Sequence, residues 1–358
     1  MAQKRPMDHS DMGQTGSRKG RSALRRVAPA GVLASAAVVL GAALVIGVGA
    51  APIGTGIAAA DPIARPAAVP LDPGPPQTDH LAAARYLRQH PDAAPEGTND
   101  FGCTPSAEHP RPIVLAHGTD SSAYSDYSGI GPKLVQAGFC VFALNYGGKA
   151  GGKSYGTEDV WASSAQIGAF VDTVLAATGA SRVDMVGFSQ GASVTRYYIN
   201  RLGGAAKVGQ WVGLASPSYG GIMYGLVPVA QKAPFIFTLA EMASSVAAIQ
   251  QAAGSPFITE LNAGSDTVPG VRFTTIGSRV DEMIQPNSNI ALHGEGARNL
   301  VLQDYCSIDL TGHFHMVYDP YVQQMVVNVL DPEHAVQPPC VKVELGTGIA
   351  EVVEAAHS

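Results

Sequence analysis

Past its first 26 positions the chain is poor in basic residues. Of its 23 Lys and Arg, seven (Lys4, Arg5, Arg18, Lys19, Arg21, Arg25 and Arg26) precede residue 27, while Asp and Glu number 29 and the formal charge is −6. From residue 61 onward 16 basic residues face 27 acidic ones, a formal charge of −11. Such a surface is repelled by nucleic acid and by anionic headgroups, so nucleic acid is excluded as a partner and neutral substrates are expected. No internal repeat is evident, which removes the solenoid architectures. Cysteine is scarce, and neither a cysteine nor a third histidine stands at metal-ligand spacing beside the pair His313 and His315. Neither a metal nor a cofactor is expected.

What the chain does have is apolar content, 46% of its 358 residues, enough for a substantial core, with 41 glycines and 25 prolines implying many loops. The first 60 residues stand apart from that core. Their basic head is followed by an Ala/Val/Gly/Leu run at 31–51 and by Ala58-Ala59-Ala60, a small-residue cleavage site, which is the pattern of an export signal. The run approaches the length of a membrane span, so a retained anchor stays open as the alternative; Arg25-Arg26 is a weak hint of twin-arginine export. In an exported chain the four cysteines read as two disulfides, and of the three pairings allowed, Cys103 with Cys140 and Cys306 with Cys340 keeps both loops local.

Residues 61–100 are rich in Pro and Ala and read as an arm or tether with one short helix at 79–89. The folded body is expected at 101–345, with a tail at 346–358. Within the body, apolar runs at 113–116, 139–144, 183–186, 211–214, 272–276 and 299–302 read as strands buried on both faces, and helical patterns at 127–137, 158–178 and 192–202 alternate with them. That order predicts an α/β fold with a mostly parallel central sheet and helices on both faces. The stretch 219–261 breaks the rhythm. It is apolar and nearly uncharged, including Ile222, Met223, Leu226, Val227, Phe235, Phe237, Leu239 and Met242, and it reads either as buried helices crossing the sheet or as an apolar helical cap over a site.

Gly187-Phe188-Ser189-Gln190-Gly191 joins one of those strands to one of those helices. A G-x-S-x-G at a sharp strand-to-helix turn is a nucleophile elbow, which lifts a serine hydroxyl clear of the sheet. Gly152-Lys153-Ser154-Tyr155-Gly156 matches the same pattern, yet it follows a polar glycine loop with no strand to fix the turn, so Ser154 is read as a loop serine. A serine hydroxyl needs a base to take its proton and a carboxylate to hold that base in the correct tautomer, in the chain order Ser, acid, His. Asp281 follows a strand by a short turn, at the end where open α/β sheets build their sites. Glu282 is expected to point elsewhere, and Asp266 lies at the wrong edge. For the base, His313 is preferred to its neighbour His315 and to His293, with Asp309 available to orient the turn. The backbone N–H of Gln190 and the Gly118-Thr119 turn, with the Thr119 hydroxyl, are the candidate oxyanion donors. His117 is read as a structural neighbour of that turn.

With these residues the chain resembles the secreted bacterial class 2 triacylglycerol lipases and, more distantly, the Candida antarctica lipase B type of α/β-hydrolase. The matching segments are PIVLAHGT at 112–119, LNYGG at 144–148, VDMVGFSQG at 183–191, GSPFITELNAG at 254–264, VDEMIQP at 280–286 and DLTGHFHMVYDP at 309–320. The resemblance implies an α/β-hydrolase fold, a triad of Ser189, Asp281 and His313, an oxyanion hole at Thr119 and Gln190, and the same two disulfides. It also implies a secreted, monomeric ester hydrolase acting on lipid or medium-chain esters, with transient contact to a lipid interface. Phe188 stands where bacterial relatives commonly carry His, and Ala192 where a further Gly is frequent; both alter packing at the elbow and bear on substrate preference. An envelope acyltransferase with the same triad, or a secreted scaffold without chemistry, are the competing readings.

Overall fold

The architecture was taken from a computed structural model, which describes residues 66–222 and 245–357. The export segment and the part of the apolar insert at 223–244, including Met223, Leu226, Val227, Phe235, Phe237, Leu239 and Met242, lie outside the described residues. All described residues fall in one compact unit.

Six strands build the central sheet: β3 (Ile113–Ala116), β4 (Val141–Leu144), β5 (Val183–Phe188), β6 (Val208–Leu214), β7 (Arg272–Gly277) and β8 (Arg298–Val301). Their order is β4-β3-β5-β6-β7-β8, and every neighbouring pair is parallel. The strands are apolar on both faces because helices cover both. Side chains alternate between two cores, as strand geometry requires: Ile113, Leu115, Val186 and Phe188 enter one, and Val114, Ala116, Val183 and Met185 the other. The first core is closed by helix α3 (Ile130–Gln136) and the helix Pro320–Leu330, the second by α4 (Val160–Thr178) and α5 (Gln190–Arg201). Fully buried Val, Leu and Ile side chains contribute about 1.5–3 kcal/mol each to this packing. This is the α/β-hydrolase fold.

Local signals set the helix ends. Asp159 caps α4 by accepting from the Ala162 N–H at 2.9 Å, and Gly179, at φ 68°, ends it. The pattern expected at 127–137 forms α3, and a separate short helix α2 (Ala123–Tyr127), capped by Ser122, precedes it. At 246–261 the insert forms two short helices, Val246–Gln250 and Pro256–Leu261, each capped by a serine, Ser245 and Ser255. Phe257, Ile258 and Leu261 of the second are buried against α5.

Of the two forms expected for residues 61–100, a tether or an arm, the described part has the form of an arm lying on the body: β1 (Asp72–Gly74) pairs with β2 (Ala93–Pro95), joined by α1 (His80–Leu87), and Asn99 binds the backbone of both Pro70 and Ala143. The expected tail contains the helix Ile349–His357, which packs against α1 and seats Ile349 and Val352 on a cluster with Met283, Ile284 and Phe314. In both segments small or sparse apolar residues meet preformed surfaces, so neither needs the long hydrophobic period that marks a core element.

The strand order fixes where chemistry can occur. From β3 the chain proceeds outward to β4, whereas β5 lies on the other side of β3, so the connections leave the C-terminal ends of β3 and β5 in opposite directions. Such a switch point opens a crevice at the strand ends. Ala116 at the end of β3 pairs with Gly187 near the end of β5.

Candidate active site

Ser189 occupies the turn between β5 and α5 with φ 51° and ψ −118°. A non-glycine residue in this region stores about 1–3 kcal/mol of strain, which persists only where the surroundings enforce it. They do here: the Ser189 N–H donates to the Leu214 carbonyl at 2.9 Å. A Cβ on Gly191 would collide with the backbone of Ala116 and His117, and one on Gly187 with the backbone of Ala192. The two glycines are therefore a packing requirement of the elbow. Ser189 is buried, with its hydroxyl oxygen 3.1 Å from His313 Nε2.

His313 Nδ1 lies 3.0 Å from Asp281 Oδ2. Asp281 is fully buried, and its other oxygen accepts the N–H groups of Met283 at 2.9 Å and Ile284 at 2.7 Å. Each carboxylate oxygen thus has a separate task. Burial alone would lower the proton affinity of His313; the charge and hydrogen bond of Asp281, with the charges of Glu282 and Asp126, outweigh it and raise the pKa above its ordinary value. The loop carrying His313 is held from below. Asp309 accepts from the Thr311 N–H at 3.0 Å, and the Thr311 hydroxyl donates to Asp319 at 3.0 Å.

Glu282 does not point elsewhere, as the sequence had implied. Its carboxylate accepts the His313 N–H at 2.8 Å, because the chain bends after β7 and brings both acids against the 309–315 loop. Burial raises its pKa. His315 gives its carbonyl to the N–H groups of Tyr318 and Asp319, while His293 stacks on Tyr219 beside Asp266. His117 is buried and stacks on Tyr146, and burial lowers its pKa to about 4. Ser154 lies in a loop outside any strand or helix.

Gln190 is the first residue of α5, where a backbone N–H has no intrahelical acceptor. Its side-chain amide donates to the Thr119 hydroxyl at 3.1 Å and to the Gly156 carbonyl at 3.0 Å, tying the turn after β3 to the elbow after β5. Gln251, from the insert, approaches the same hydroxyl at 3.5 Å. Sequence reasoning missed Asp126, whose buried carboxylate accepts the Gly118 N–H at 2.6 Å and the Ser121 hydroxyl at 2.7 Å. Burial raises its pKa to about 6. No sequence signal marks it: among the serines and tyrosines of 121–128 an acid reads as solvated.

Cys103 is bonded to Cys140 and Cys306 to Cys340, with Cα separations of 5.9 and 5.4 Å. Among the described residues no group of three or more His, Cys, Asp or Glu is arranged to hold a metal ion.

A buried serine, imidazole and carboxylate in series at a strand-to-helix turn is a pattern shared by many hydrolases; the family is decided by the chain as a whole. The family described as lipase (class 2) matches residues 110–326. The chain belongs to the class 2 lipases. Among solved structures, the chain is similar to Aspergillus fumigatus lipase B at 22% identity, over 71% of this chain and 64% of that one, with a TM-score of 0.53. It is also similar to the mature form of a Bacillus licheniformis lipase at 14% identity, over 63% of this chain and 94% of the other, with a TM-score of 0.49. This class 2 lipase therefore spans 64% of the length of the Aspergillus enzyme, and the likeness supports the shared fold.

Proposed function

We propose that this class 2 lipase hydrolyses carboxylic esters through an acyl-enzyme on Ser189. The observation that carries the reading is the series Ser189 Oγ, His313 and Asp281, with 3.1 and 3.0 Å between successive partners. In the first step the Ser189 oxygen bonds to the ester carbonyl carbon as its proton passes to His313 Nε2. The carbonyl π pair moves onto oxygen, and the backbone N–H groups of Gln190 and Thr119, with the Thr119 hydroxyl, receive that charge. Collapse expels the alkoxide, which takes the proton from His313. Water then repeats the sequence in reverse and frees the acid. Asp281 holds the imidazole with a proton on Nδ1 and stabilises the imidazolium.

Neutral lipid or medium-chain esters are the substrates this reading favours, because an excess of acidic residues from 61 onward disfavours anionic ones. Two disulfides are compatible with an oxidising compartment, so we read the enzyme as exported, monomeric and in transient contact with lipid interfaces. Ser189→Ala tests the core of the proposal: hydrolysis of a p-nitrophenyl ester is expected to vanish and labelling by a fluorophosphonate to stop. Undiminished turnover by that variant overturns it.

A further inference from the structure

The geometry points to Asp126 as a positioning residue for the oxyanion donors: its buried carboxylate clamps both ends of the turn Gly118 to Ser121 that carries Thr119. This inference rests on the ester-hydrolase reading above, since a turn without an oxyanion to meet has nothing to be positioned for.

The clamp is built on a fixed base. Asp126 lies on α2, one residue before Tyr127, whose hydroxyl donates to the carbonyl of Ala116 at 2.7 Å and of Val186 at 3.2 Å. Those carbonyls belong to the last residue of β3 and to the C-terminal half of β5, the two strands that deliver the turn and the elbow. The same short helix is held at its start by Asn145, which accepts the Ala123 N–H at 2.7 Å, and by Tyr124, whose hydroxyl donates to Pro75 at 2.7 Å. From that base one carboxylate oxygen takes the Gly118 N–H at 2.6 Å and the other the Ser121 hydroxyl at 2.7 Å. Between the two anchors sits Asp120, a non-glycine residue at φ 53°. A turn with a strained residue at its centre opens when its ends are released, and Thr119 is the residue next to that centre.

Burial argues for function rather than stability. Asp126 has no exposed surface, and the nearest basic group, His80 Nδ1, stands 3.9 Å away in a ring whose own pKa is lowered to about 4 by burial. The only charge that favours its ionised form is that of His313, with which it shares no hydrogen bond, and an acid buried with so little compensation destabilises a fold compared with an apolar residue of similar volume. Two short hydrogen bonds to a single turn are what this one secures. The neighbouring tie, from Gln190 to the Thr119 hydroxyl, sets the side chain; Asp126 sets the backbone beneath it.

Asp126→Ala is expected to lower kcat on a soluble p-nitrophenyl ester by about a hundredfold, the effect of an oxyanion donor lost or displaced, with KM within about threefold. An arylboronic acid, which forms a tetrahedral anion on Ser189, is expected to bind more weakly by the same factor, a change that general loosening of the fold does not confine to the tetrahedral state. Asp126→Asn retains an oxygen for Gly118 and offers an amide to Ser121, whose hydroxyl can reverse its role, so it is expected to recover kcat to within about tenfold of the parent. If Asp126→Ala does not fold, Ser121→Ala removes one anchor only and is expected to cost about tenfold in kcat and in boronate affinity. Parental kcat and boronate affinity in the folded Asp126→Ala and Ser121→Ala proteins, with Ser189→Ala inactive, overturn the positioning role alone. An Asp126→Asn protein as impaired as Asp126→Ala overturns it too, because charge and not turn geometry would then be at work. Turnover by Ser189→Ala removes the hydrolase reading itself.

Discussion

Replacing Asp281 with Asn changes one atom and two hydrogens, yet the structure fixes how the new amide must lie. One oxygen of Asp281 accepts the N–H groups of Met283 and Ile284, at 2.9 and 2.7 Å. Only an oxygen can serve there, so the Asn oxygen takes that place and its NH2 faces His313 Nδ1. Turning the amide round sets NH2 against two buried N–H donors, at about 1–3 kcal/mol for each group left unpaired. With the NH2 facing it, Nδ1 becomes an acceptor, the ring proton moves to Nε2, and Nε2 can no longer take the Ser189 proton. A flip cost of about 3 kcal/mol, in the lower half of the roughly 2–6 kcal/mol for two such groups, holds the productive tautomer near 1%, roughly two decades in rate. Loss of the carboxylate's attraction for the imidazolium in a buried site, about 4 kcal/mol at an effective dielectric of 20 before solvation offsets, removes about two decades more. The expected loss in kcat is therefore about four decades, in line with the general behaviour of such triads. The assay is p-nitrophenyl ester turnover at pH 8, beside a thermal melt to show that the fold is retained. A folded Asp281→Asn protein within tenfold of the parent kcat refutes the assignment of the acid and the tautomer argument together.

Other outcomes follow from the same contacts. His313 must be neutral to act as a base, and its pKa is raised, so the acid limb of kcat/KM is expected above the imidazole's ordinary ~6.5 and at lower pH in any active Asp281 variant; a pH–rate profile checks both. Glu282→Ala leaves the His313 N–H without its acceptor, which is expected to cost about 1–3 kcal/mol by denaturant titration and about tenfold in kcat, while Glu282→Gln retains most of both. Gly191→Ala drives a methyl group into the Ala116 carbonyl and is expected to yield no soluble enzyme, whereas Ser154→Ala should express and turn over like the parent. Replacing the Cys103–Cys140 pair by serines opens a loop spanning 37 residues, worth about 4 kcal/mol in the chain-entropy argument, read as a lowered unfolding midpoint with activity retained at low temperature.

The sheet could be read from the sequence because its strands lie between two layers of helices. Ile113 to Ala116 is apolar throughout and Val183 to Val186 is broken only by Asp184, and a short apolar run of this kind, with a glycine within two residues of its end, has few other homes in an alternating pattern. The segment 66–100 could not be read that way. Ala83, Ala93 and Ala94 are buried there, but alanine carries too little apolar surface to produce a period, and it becomes core only because Tyr124 and its neighbours provide a surface to meet it. The C-terminal helix shows the same limit from the other side: Ile349 and Val352 stand at helical spacing, but the cluster they join is assembled from Met283, Ile284 and Phe314, far apart in the chain.

The candidate site divides along a related line. Ser189 and Asp281 could be proposed because each lies just past a strand end, and strand ends are visible; His313, beyond the last strand and a short helix, could be proposed from the chain order of acid and base. Asp126 and Glu282 could not, because what identifies them is the direction of a side chain. A five-residue helix such as α2 is too short to display which face is wet, so an acid on it reads by default as solvated. Glu282 was set aside on the rule that adjacent residues diverge, which holds within a strand; past Gly277 the chain is no longer extended, and Asp281 and Glu282 reach the ring and the backbone of the same His313. Sequence order therefore reveals the groups that touch a reacting ester more readily than the groups that aim them. The aiming groups are defined by backbone N–H partners, and every residue but proline offers one of those.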